Sequence, residues 1–175
     1  SNIAKDTNTF ILIGEPGSGK TTSLTKIKYD NAVGLINGIE NSKFPILVDA
    51  CSYSSINNFE YLIARQIPFS NLSDLSKKYS VTILIDGLNE IELQYRVSAH
   101  NEISNLISVH RNTSFILSTR KHRFNNIWDI PVFELKELNT KQIEQLIVNI
   151  LGRQKGAILW EEIKHNSQLL ELSQN

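Results

Sequence analysis

Gly14-Glu15-Pro16-Gly17-Ser18-Gly19-Lys20-Thr21 combine three glycines with a lysine and a hydroxyl, a set suited to holding a polyphosphate. Glycines let the backbone take conformations that a β-carbon forbids and close on a ligand. Successive amide N–H groups then converge into an anion nest at a helix N-terminus, where the helix dipole adds favourable potential. The run fits G-x-x-x-x-G-K-[ST], in which the lysine, Lys20, reaches the β- and γ-phosphates and the hydroxyl of Thr21 ligates Mg²⁺. Gly14 through Thr22 is therefore the expected nucleotide-binding run. A glycine turn without a ligand is the bland reading, and an apolar strand before the run with a helix-permissive stretch after it argues against that.

Two further groups are candidates for the same chemistry. "VTILID", residues 81 to 86, is an apolar strand ending in an acid, which puts a carboxylate at the carboxyl edge of a sheet, where ligands of open α/β folds bind. Asp86 is placed to hold Mg²⁺, directly or through water. Asp-Gly is also a common turn, so the strength of this reading comes from its pairing with the glycine-rich loop. Glu90 is a candidate to orient or deprotonate the attacking water; the alternative is a solvated carboxylate in the first turn of the next helix. "SFILSTR", residues 114 to 120, delivers Ser118, Thr119 and Arg120 to the same edge and offers them to the phosphates. Arg120 is read as a γ-phosphate sensor, the alternative being an ion pair with Glu92 or Glu134. Lys121, His122 and Arg123 are explained more simply as a solvated turn than as a nucleic-acid patch.

The elements that must position these groups follow from apolar runs at 10–13, 45–50, 81–86, 114–119 and 130–135. They are nearly continuous in apolar and β-branched residues and do not alternate, so they predict strands buried on both faces of a mainly parallel sheet. Helix-permissive stretches lie between them, and the class is α/β. Past residue 138, "LNTKQIEQLIVNIL" and "GAILWEEIKHNSQLLELSQN" carry helical spacing with no strand between, predicting a helical appendage. The expected division is a nucleotide-binding domain over 1–138 and the start of a helical subdomain over 139–175.

Composition narrows the function classes. The 175 residues carry 18 basic and 18 acidic side chains, so net charge calls for neither nucleic acid nor an anionic membrane. The single cysteine, Cys51, rules out an internal disulfide and reads as a small buried thiol. With no leader-like or long apolar segment, the expected compartment is the cytoplasm. His100, His110, His122 and His165 lack metal-ligand spacing and give no zinc site. The chain has no methionine and opens on Ser1-Asn2, which reads as a remnant of tag cleavage on a fragment of a longer protein.

Taken together, "GEPGSGKTT", "ILIDGLNEI", "FILSTR" and "LLELSQN" resemble the NACHT group of STAND NTPases, the nucleotide-switched ATPases of innate immune receptors and bacterial defence proteins. The resemblance runs from about Phe10 to Asn175. It implies a sheet in the order 5-1-4-3-2 with Asp86 on the third strand, an adenine nucleotide, an ADP-bound resting state and ATP-driven oligomerisation. It also implies that the winged helix and sensor repeats of such proteins lie outside these residues, which are then expected to be monomeric. Asn89 stands where the family often has an aspartate, so hydrolysis is expected to be slow or to rest on Glu90. The guanine-reading N-K-x-D motif does not occur. Three readings stay open on sequence: an ATP-hydrolysing switch; another P-loop class, such as a small-molecule kinase or an AAA+ motor using Arg65, Arg96 or Arg123 in trans; and a non-hydrolysing interaction module.

Overall fold

The computed structural model describes residues 9–69, 71–122 and 124–173; Ser1-Asn2 and Arg123 lie outside the described residues. Each apolar run forms a strand: β1 (Phe10–Gly14), β2 (Phe44–Asp49), β3 (Val81–Asp86), β4 (Thr113–Arg120) and β5 (Val132–Glu134). All neighbours are parallel, in the order β2-β3-β4-β1-β5, which is 5-1-4-3-2 seen from the other edge. Parallel strands require long crossovers. Helices α1 (Lys20–Ile36), α2 (Phe59–Ala64), α3 (Leu72–Ser76) and α4 (Arg96–Val109) lie in the first three, and the described residues between β4 and β5 form no helix.

Strand alternation builds two cores. Ile11, Ile83, Ile85, Phe115 and Leu117 point to one face and pack with Phe59 and Ile63 of α2, Leu75 of α3 and Ile103 and Leu106 of α4. Their sequence neighbours Leu12, Leu84 and Ile116 point to the other, against Leu24 of α1. Covering on both faces is why β3 and β4 read as unbroken apolar runs. Removing one such side chain, as in Ile83→Ala, is expected to cost about 2–5 kcal/mol, because it leaves a cavity in close packing.

The last strand departs from the sequence reading. β5 is three residues long rather than a strand buried on both faces, and Phe133 is 56% exposed. It pairs only with β1, so it is an edge, and Phe133 covers itself partly by an edge-on contact with Phe10.

After β5 come α5 (Thr140–Lys164) and α6 (Ser167–Ser173). Asn139 caps α5: its side chain accepts from the Gln142 N–H, and the Gln142 side chain accepts from the Asn139 N–H, a reciprocal box that satisfies two end donors. Gly152, at φ 77° and ψ 165°, breaks the helix. The chain turns back so sharply that a β-carbon on Gly156 would lie 2.9 Å from the Val148 backbone. No helix among the described residues is long and apolar enough to cross a membrane.

Candidate functional site

β1 ends at Gly14, level with Arg120 at the end of β4. The loop between β1 and α1 turns through Gly17 and Gly19, whose φ values of 82° and 84° strongly favour glycine. Gly19 is the N-cap of α1 and supplies no side-chain oxygen, so the first-turn N–H groups remain as donors at the positive end of the helix. The Lys20 ammonium folds back over the loop, donating to Gly14 O at 2.9 Å, Glu15 O at 2.7 Å and Ser18 Oγ at 3.3 Å. Burial, and next the nearby Arg120 guanidinium, pull the Lys20 pKa below its ordinary value, against the fields of Asp86, Glu15 and Glu90. Two cations whose fields overlap favour a polyanion between them.

The opposite wall belongs to β3 and β4. Thr21 Oγ1 donates to Asp86 Oδ2 at 2.6 Å, joining the first turn of α1 to the end of β3. Ser118 Oγ donates to Asp86 Oδ1 and accepts from the Gly87 N–H at 2.9 Å. Ser118 is fully buried and Thr119 nearly so. This corrects the expectation that both hydroxyls face phosphate: Ser118 is committed to orienting Asp86. Leu88–Glu90 form a 3-10 turn, and a second, Leu93–Tyr95, follows before α4, so Glu90 is an exposed residue of the first 3-10 turn and does not sit in the first turn of the helix. Its N–H donates to Gly87 O at 2.7 Å.

Arg120 is exposed and among the described residues forms no ion pair; Glu134 instead binds Lys121 and Lys136, both at 2.7 Å. Of the arginines considered for a role in trans, Arg65 caps α2 with its guanidinium over the Tyr61 ring, and Arg96 is bonded within its own chain. Cys51 is exposed, which corrects the buried reading: it follows β2 at the polar sheet edge, where its N–H bonds the Asp49 carboxylate.

Two clefts flank the loop. One, of about 530 Å³, runs from Gly17–Gly19, Thr22 and Ser23 to Leu135, Leu138, Gln142, Leu146 and Asn149. Sequence reasoning missed this wall, although Gln142, Gln145, Leu146 and Asn149 follow the i, i+3, i+4, i+7 spacing of one helix face. The other, of about 540 Å³, lies beyond Arg120 and includes Glu15, Asn89, Arg96, His100 and Trp128.

A family model described as the NACHT domain matches residues 8–154. The chain belongs to the NACHT family. It is a nucleotide-binding P-loop NTPase domain. No curated protein matches it. Among solved structures, the NACHT domain is similar to a chain in the structure of Drosophila ORC bound to DNA, with a TM-score of 0.58 and 13% identity over 92% of this chain and 45% of that one. It is also similar to C. elegans PCH-2, with a TM-score of 0.52 and 16% identity over 82% of this chain and 40% of that one. At such identities the likeness shows a shared fold, and the domain spans less than half the length of either neighbour.

Proposed function

We propose that this NACHT domain binds ATP with Mg²⁺ and hydrolyses it slowly, as the cytoplasmic nucleotide-operated switch of a larger signalling or defence protein. The observation that carries the reading is the 2.6 Å bond from Thr21 Oγ1 to Asp86 Oδ2, which brings a hydroxyl and a carboxylate from distant segments to one point beside the loop amides. Those two oxygens fit a hard divalent cation and would hold it. Bound Mg²⁺ supplies charge neutralisation on the phosphates during transfer.

The remaining steps belong to the chain. First-turn amides of α1 bind phosphate oxygens, and Lys20 exchanges the Gly14 and Glu15 carbonyls for the β- and γ-phosphates. Leu135, Leu138 and Leu146 form an apolar wall for the base, with Gln142 and Asn149 as its polar groups. Glu90 takes the proton of the attacking water. Asn89, an amide, offers no second base, which keeps turnover slow. Arg120 pairs with the γ-phosphate and loses that partner in ADP, which gives the two nucleotides different affinities and so a means of switching. Residues 1–138 are read as the nucleotide-binding unit and 139–175 as the start of a helical subdomain, with oligomerisation left to the full-length protein.

The test is titration with a fluorescent ATP analogue with and without Mg²⁺, followed by phosphate release with and without added phosphate acceptors. Mg²⁺-dependent binding and slow release indifferent to acceptors are expected. Acceptor-stimulated turnover would move the domain to a kinase class, and binding without turnover would make the nucleotide structural.

A further inference from the structure

Glu90 and Arg120 sit on different elements, yet three hydrogen bonds tie them together. Arg96, the first residue of α4, donates from Nε to Ile91 O at 3.0 Å and from Nη2 to Asn89 O at 3.1 Å, so one guanidinium holds the backbone on both sides of Glu90. The side chain of Asn89 reaches the other way, its Oδ1 accepting the backbone N–H of Arg120 at 3.0 Å. We infer that Arg96 and Asn89 form a bracket that fixes Glu90 and Arg120 relative to each other, making Arg96 and Asn89 positioning residues for hydrolysis.

The local structure needs such a bracket. Leu88 and Ile91 anchor the turn in the core, but Glu90 itself is exposed, and a single 3-10 turn has hydrogen-bond geometry too poor to hold its carboxylate in one place. Gly87, which closes that turn, is at φ 77°, and a β-carbon there would stand 3.2 Å from the Glu90 carboxyl carbon. Arginine suits the task, since its planar fork serves two carbonyls at once where a lysine would act as a point charge. Asparagine suits position 89 because an amide oxygen accepts the Arg120 N–H without adding a negative charge beside a phosphate-reading guanidinium. The residue that looked like a missing base therefore has a task of its own, and Arg96 acts in cis.

The inference rests on the roles proposed above for Glu90 and Arg120, so its test has an arm that uses no nucleotide. In amide hydrogen exchange of the ligand-free protein, Asn89→Ala should speed exchange of the Arg120 N–H by about five- to tenfold, while Asn89→Asp, which keeps an acceptor, leaves it protected. Arg96→Ala should speed exchange of the Glu90 N–H. In steady-state ATP hydrolysis, Arg96→Ala and Asn89→Ala should each lower kcat about tenfold with KM and ADP affinity within about twofold, and Arg96→Lys should recover only part of the loss. Unchanged exchange overturns the bracket whatever the activity. Altered exchange with unchanged kcat overturns its part in hydrolysis, and so do equal losses in kcat and ADP affinity. If Glu90→Gln hydrolysed like wild type, the fault would lie in the role given to Glu90, and the exchange arm would still decide the bracket.

Discussion

The two walls of the site are built in opposite ways. On the β1–α1 side everything is local: Lys20 bonds residues two to six positions away, and the glycines that shape the loop lie inside the same eight residues. On the β3–β4 side the bonds that orient Asp86 and the Arg120 amide join segments more than thirty residues apart, whereas the Arg96 bonds, over five and seven residues, are short in sequence. Asp86 is oriented by Ser118, the Arg120 amide by Asn89, and the Glu90 turn by a guanidinium from α4. A local cradle survives as long as its own segment folds. A wall assembled from three elements depends on their packing, and it can change when one of them shifts. The first wall suits holding a nucleotide in every state, and the second suits telling one state from another.

Substitutions on each wall should separate these functions. The largest effect belongs to the assembled wall: Glu90→Gln should slow single-turnover hydrolysis by about 10²-fold or more while leaving ATP binding intact. Lys20→Ala, on the local wall, should weaken ATP and ADP alike by about thirtyfold or more, about 2–3 kcal/mol, measured by fluorescent-nucleotide titration. A loss confined to ATP would erase the contrast. Arg120→Ala sharpens it, with an expected ATP loss of about 1.5–3 kcal/mol and little change for ADP. Ser118→Ala leaves the half-buried Gly87 N–H without its acceptor and should lower unfolding free energy by about 1–2 kcal/mol in denaturant titration, with a higher Mg²⁺ requirement for binding.

The smallest effect lies outside both walls. Hydrogen bonds from Lys121, and next Lys136, hold the Glu134 carboxyl at about 2, below its ordinary value of 4.5. A depressed carboxylate contributes stability that is present above its ordinary value and is lost as pH falls toward about 2. Glu134→Gln should therefore flatten the stability profile between about pH 4.5 and 2 in low salt, and added salt should hide the difference, because the lysines are exposed.

The same contrast explains what the sequence could tell. The eight-residue loop and the four longer strands were readable because their signals are contiguous: glycine spacing in one case, unbroken apolar runs in the other. β5 misled because an apolar run looks the same whether a second neighbour covers it or not, and coverage is settled by sheet order. Ser118 was read as facing phosphate since nothing in "FILST" shows which side of the strand meets Asp86. The Asn89 bond was invisible for the same reason, since it depends on how β4 approaches a turn formed elsewhere, and the Arg96 bonds, though short in sequence, depend on the angle at which α4 leaves that turn. Helices α2 and α3 are too short for periodicity to separate from loop.

Position 142 answers two demands at once, and together they narrow its chemistry. Gln142 closes the cap of α5 and also stands in the cleft beside Gly17–Gly19. Glutamate would complete such a cap equally well, but it would set a negative charge in the cleft proposed for the base, next to the loop proposed to hold the phosphates. Alanine would clear the cleft and strip the Asn139 N–H of its partner. A neutral side chain with an acceptor at that length meets both demands. The start of the helical segment and the chemistry of the nucleotide cleft are thus written in one residue, and a change made to improve either is felt by the other.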